Sequence, residues 1–151
     1  MATTIVPTNL TVTLTTQITL NGNQRNTVNE VVIPNIAEYD SRIMTIPTSP
    51  EVTIVNFNSP IAAGTFIKGN LKHLQITNLD AVNYCRIRVN KVNSYNFDVK
   101  LDPGKFFIMG NTKELASSVG SAFVDSFVDC DSINAQADTN PVDIEYVVAS
   151  I

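Results

Sequence analysis

The chain has 151 residues, of which 44% are hydrophobic and 16% charged, and a formal net charge of −4. A chain of that length fits one domain that buries about two-thirds of its unfolded surface. Its apolar content excludes a disordered chain, and its small net charge supplies no global field toward nucleic acid or anionic lipid.

The N-terminus, MATTIVPTNL, has no basic region followed by an apolar core, so it does not read as a secretory signal; synthesis in a cytoplasm is expected. Residues 1–8, Thr-rich and containing Pro7, read as a flexible arm, and residues 9–151 as a single β-sandwich domain. In NLTVTLTTQITL (9–20), Leu10, Val12, Leu14, Ile18 and Leu20 alternate with threonines and Gln17. That pattern predicts a long strand with one buried and one wet face. NGN (21–23) is a hairpin turn signal. TVNEVVI (27–33) should end at Pro34, which cannot donate to a ladder.

Further strands are expected at 41–46, 51–57, 65–69, 72–79, 84–92 and 95–101. The DPG turn (102–104) leads into another at 105–110, and the last ones are 121–130, 132–137 and 142–150. KELASSV (113–119) is the one place where a short helical turn is credible. Apolar runs such as FFIM (106–109) are far too short to span a bilayer. Regular strands punctuated by Pro, Gly and Asn predict an all-β antiparallel sandwich, jelly-roll-like.

The stretch HLQITNLDAVNYCRIRV (73–89) contains the only histidine, together with Asp80 and Cys85. If its two strands form one hairpin, period two places His73 on the wet face and Cys85 on the buried face. A Cys–His dyad needs side-chain contact, and a sheet would stand between these two. Asn78, Asp80 and Asn83 offer too few oxygens for calcium, so the loop is expected to bond its own backbone. Cys85 and Cys130 are expected to be buried free thiols, neither being in zinc-finger spacing. Asp129 and Asp131 share a strand face and need solvent, a cation or a partner's arginine. No phosphate-binding glycine loop or nucleophile elbow is present, and no cofactor is implied.

Basic residues crowd the middle of the chain, and none follows Lys113, whereas the end is acidic. Two solvated faces are the plain reading; opposed patches that meet between copies of an assembly are the sharper one. The candidate interaction surface is Gln75, Thr77, Arg86 and Arg88, with Asp129 and Asp131. Arg86 and Arg88 with Tyr84 are too few for a nucleic-acid site in an acidic protein.

Three segments, FIKGNLKHLQITNLDAVNYCRIRV (66–89), KLDPGKFFIMGN (100–111) and NPVDIEYVVAS (140–150), together resemble small all-β structural proteins of tailed bacteriophages. The resemblance spans roughly the last 90 residues. It implies a non-enzymatic virion protein: a capsid decoration, head-fibre or neck-tail component. It would contact the major capsid protein or other virion proteins and form a homo-oligomer, a trimer being one candidate, with no nucleic acid or membrane involved. The alternative is a ligand- or glycan-binding attachment module of a phage or bacterial surface assembly. For that role Tyr39, Tyr84 and Tyr95 could supply ring faces. An enzyme built around Asp129 or His73 comes third.

Overall fold

The computed structural model describes residues 6–57, 65–91, 96–114 and 128–151. Every regular element among them is a β-strand. The first two, β1 (Thr8–Leu20) and β2 (Asn23–Ile36), pair antiparallel and form a two-stranded sheet of their own. Asn21 and Gly22 turn the ribbon with φ of 50° and 78°, the left-handed pair that a two-residue hairpin loop requires. The strand expected to stop at Pro34 continues to Ile36. Between Thr8 and Leu10 the register shifts, and Asn35 takes a φ of 63°. A bulge of this kind leaves Pro34 out of the ladder and lets the strand resume.

The remaining strands form two packed sheets. One orders β3 (Glu38–Ile46), β12 (Val142–Ser150), β6 (Leu71–Asn78) and β9 (Phe106–Met109), all antiparallel. The other orders β5 (Thr65–Phe66), β4 (Val52–Phe57), β11 (Val128–Ala137), β7 (Cys85–Lys91) and β8 (Phe97–Leu101), with β10 (Lys113–Glu114) also pairing with β11. Among the described residues only the short β4–β5 pair is parallel. The pairs nest in sequence: β3 with β12, β4 with β11, β6 with β9, β7 with β8. Successive pairs fall in opposite sheets, which is the strand order of a jelly roll, a long antiparallel ribbon wrapped on itself.

Alternation along each strand builds the core. Leu74, Ile76, Ile144 and Val148 from the first sheet meet Val55, Ile87, Val89, Ile133 and Ala135 from the second, all essentially inaccessible to water. Burying each large aliphatic side chain stabilises the fold by about 1.5–3 kcal/mol.

Several expectations change. The sandwich starts at Glu38, so residues 9–36 do not belong to it: β1 and β2 pair only with each other. Consequently the apolar side of β1 is not buried, and Leu14, Ile18 and Leu20 stand exposed. Lys113 and Glu114 are strand, not helix, while 115–119 lie outside the described residues. The last part of the chain expected as two strands, 121–130 and 132–137, is one strand from Val128, bulged between Cys130 and Ser132; 121–127 lie outside the described residues.

Candidate interaction surfaces

The hairpin expected over residues 73–89 does not form. β6 and β7 belong to opposite sheets, so Gln75 and Thr77 face outward on one side of the molecule and Arg86 and Arg88 on the other. They cannot form one surface. A crossover between sheets and a hairpin leave the same alternation in sequence, so the pattern alone could not separate them.

The outer face of the sheet containing β7 is polar and internally paired. Arg88 grips Asp98 with two hydrogen bonds, Nε to Oδ1 at 2.7 Å and Nη2 to Oδ2 at 2.9 Å. Its Nη1 also donates to Glu51 Oε2 at 2.9 Å, and Arg86 Nη2 donates to the same oxygen at 3.0 Å. Asn134 Nδ2 donates to Glu51 Oε1 at 2.9 Å. The Arg88 guanidinium holds the Asp98 carboxyl below the usual carboxylate range.

Asp129 and Asp131 are likewise engaged. Lys113 Nζ lies 2.8 Å from Asp129 Oδ2, the Thr112 hydroxyl donates to Oδ1 at 2.7 Å, and Lys68 pairs with Asp131. Lys113, then Thr112, depress the Asp129 pKa, with a smaller contribution from the Lys68 charge. The basic middle and acidic end therefore meet within one chain, and these carboxylates need no neighbour's arginine.

A shallow cleft of about 210 Å³ opens beside this face, lined by Thr48, Tyr84, Arg86, Gln136, Ala137 and Asp138. It is smaller than the ~300 Å³ at which ligand pockets begin. Its polar groups are also occupied: Arg86 Nη2 donates to Gln136 Oε1 at 2.5 Å, and Gln136 Nε2 to the Thr48 carbonyl at 2.7 Å. Lys100 Nζ covers the Tyr84 ring, 4.6 Å from its centroid.

The stretch holding His73 resolves into structural roles. His73 does lie on the outer side of β6, opposite Leu74, but it is 7% exposed rather than a surface residue. It pairs with Ala149, itself inaccessible, and burial lowers its pKa. Cys85 is buried in the core of the other sheet, and burial pushes its thiol up to about 11, the reverse of what a nucleophile needs. Asp80 Oδ1 accepts from the backbone N–H groups of Val82 at 2.7 Å and Asn83 at 2.6 Å, which lowers its pKa. Asn78 is fully buried; its Nδ2 donates to the carbonyls of Asn83 and Leu101, both at 2.9 Å. The loop bonds its own backbone, as expected. Among the described residues no three His, Cys, Asp or Glu side chains gather to hold a metal ion.

Two apolar surfaces have nothing packed on them among the described residues. The outer face of the four-stranded sheet carries two rows across the strands, Ile43–Glu145–Thr77–Phe106 and Ser41–Val147–Gln75–Ile108. Ile43 is 64% and Phe106 54% exposed, and Tyr39 and Ile108 are exposed beside them. The second surface is one side of the ribbon, where Leu10, Val12, Leu14, Ile18 and Leu20 share a face with Val31 and Ile33. Leu14 is 47% and Val31 58% exposed.

Sequence reasoning found Gln75 and Thr77 but missed Ile43, Phe106, Ile108 and Val147 around them. A signal was present: FFIM and YVVA are apolar at consecutive positions, which marks strands with both faces destined for burial. No protein-family model, curated protein or solved structure matches the chain.

Proposed function

We propose that the chain is a non-enzymatic structural subunit of a virion, a decoration or head-associated protein of a tailed phage, which works through protein–protein contacts in a symmetric assembly. The supporting observation is the contrast between its two outer faces. The sheet of β7 neutralises its own charges, whereas the four-stranded sheet leaves Tyr39, Ile43, Phe106 and Ile108 in water. These side chains stand on the two edge strands, β3 and β9, with Val147 and the polar Glu145, Thr77 and Gln75 between them, and such a mixed apolar and polar face is what protein–protein interfaces present. The resemblance of residues 66–89, 100–111 and 140–150 to phage structural proteins adds the setting, and the jelly roll is a fold that serves in viral shells.

An antibody raised against the purified chain tests this reading on particles released by cells that make it. Immunogold label at regular positions on the particles is expected; label confined to the soluble fraction overturns it. An attachment module for glycans would instead need a ring-lined groove, and the small cleft at Tyr84 offers one ring, already covered by Lys100.

A further inference from the structure

We infer that the β1–β2 ribbon is an exchange arm: its apolar face packs on the outer face of the four-stranded sheet of a second copy of this chain. The inference rests on reading that sheet face as a protein-binding surface; it does not need the virion setting.

An isolated two-stranded ribbon is marginal in water and gains stability when an apolar face is covered. Here the face is concentrated: Leu10, Val12 and Leu14 oppose Ile33, Val31 and Asn29, while Thr11, Thr13, Thr15 and Thr19 turn the other way. The chain's own sheet is poorly placed to cover it. Ile36 is buried, the Ala37 N–H is bonded to the Ser150 carbonyl at 3.0 Å, and β3 begins at Glu38. The ribbon is thus anchored at the very edge of the sheet, with no slack to fold back over it.

A second copy supplies the matching surface. The ribbon's apolar face carries one cation, Arg25, opposite Ile18, and the sheet face carries, besides Asp143, which accepts from the Thr45 hydroxyl, the carboxylate Glu145, opposite Ile43. Neither Arg25 nor Glu145 has an ion-pair partner among the described residues. Seating the arm on the sheet brings opposite charges to one interface instead of burying either alone. The size is also right. A 13-residue strand spans ~43 Å, and two strands make a face ~10 Å wide. The strands it seats on have at most nine residues, ~30 Å, so one seated arm removes roughly 600 Å² counting both partners, and reciprocal exchange about 1,200 Å², the lower end of a standard interface. A closed two-fold pair satisfies both arms at once.

Mixed cysteine variants of the full chain test the contact. Leu14→Cys and Val31→Cys are made as arm variants, Ile43→Cys and Ile108→Cys as sheet variants, and each arm variant is mixed with each sheet variant under mild oxidation. The native Cys85 and Cys130 are buried, so new disulfides report the introduced thiols. At least one mixture is expected to give several-fold more covalent dimer than either variant alone. In sedimentation velocity the unmodified chain should run larger than a monomer, and the double variant Leu14→Ser, Val31→Thr should revert to a monomer. No arm-to-sheet disulfide in any of the four mixtures, arm variants that cross-link to themselves just as well, or a monomeric unmodified chain would each overturn the inference. Cross-linking by a chain that labels no particle retains the arm and rejects the virion role. Particle labelling by a chain that does not cross-link does the opposite.

Discussion

Asn78 on β6 and Leu101 on β8 lie in opposite sheets, and the Asn78 side-chain amide joins them through a 2.9 Å hydrogen bond to the Leu101 carbonyl. The same amide donates to the Asn83 carbonyl, while Asn78 Oδ1 accepts from the Asp80 N–H, both at 2.9 Å. One side chain therefore satisfies three backbone groups at the end of the sandwich where the chain crosses between sheets. Asn78→Ala leaves two carbonyls without their donor, that of Leu101 in a buried site and that of Asn83 in a partly buried one. An unsatisfied buried group costs about 1–3 kcal/mol, so a total loss of roughly 3 kcal/mol is expected. Urea unfolding measures it, and Asn78→Asp should be no better, because it keeps the acceptor but loses both donors and buries a charge.

His73 should make stability depend on pH in a defined direction. Burial lowers its folded pKa from the ordinary 6.5, so the folded chain resists a proton that the unfolded chain accepts. Above 6.5 both states are neutral and nothing is lost. As pH falls below that value toward the folded pKa, the unfolded state gains the proton first and stability declines. The expected result is a stability gap that narrows in favour of His73→Gln between pH 7 and pH 5, read as the difference in urea midpoints. Parallel pH curves for the two proteins would show that burial of His73 has no energetic weight.

Glu51 is the hub of the polar sheet face, since it accepts from Arg86, Arg88 and Asn134. Its side chain is 21% exposed, so solvent screens the contacts only partly. Glu51→Gln should cost about 1 kcal/mol, less than the ~1.5–3 kcal/mol of a charged hydrogen bond in a dry site, because Asp98 still serves both arginines. The Lys100–Asp102 pair is more than half exposed on both sides, and Lys100→Ala should leave the unfolding midpoint unchanged. Raising salt should shrink the Glu51→Gln difference.

The sandwich was legible because strand period and burial coincide. Cys85, Ile87 and Val89 point into the core and Arg86 and Arg88 out of it, as alternation requires. What alternation cannot encode is which strand lies beside which. The nested jelly-roll pairing sets β6 against β9 and β12, not against β7, and that split the expected Gln75–Thr77–Arg86–Arg88 surface between two sides. Nor does alternation say what covers an apolar face. Leu14 in the ribbon and Leu74 in the core sit in equally regular strands, yet one is half exposed and the other inaccessible. The pairing of the charged residues was hidden for a different reason: Lys68 and Lys113 are distant in sequence from Asp131 and Asp129, so the contacts appear only after folding.

Gly22 separates the ribbon from the sandwich experimentally. Its φ of 78° belongs to the left-handed region, and a Cβ there would meet no atom within 4 Å. Any penalty in Gly22→Val is therefore backbone strain at the turn, about 1–2 kcal/mol. The sandwich does not depend on this turn, so the hydrogen exchange of core amides such as Ile144 and Tyr146 should not change. A marginal ribbon has little stability to lose. The amides of Leu14 and Asn29, which face each other across β1 and β2, should exchange markedly faster in dilute Gly22→Val than in the unmodified chain. Raising the protein concentration should slow them again if a second copy covers the apolar side. Exchange of Leu14 and Asn29 unaffected by the substitution would mean that contacts beyond the turn hold the two strands together.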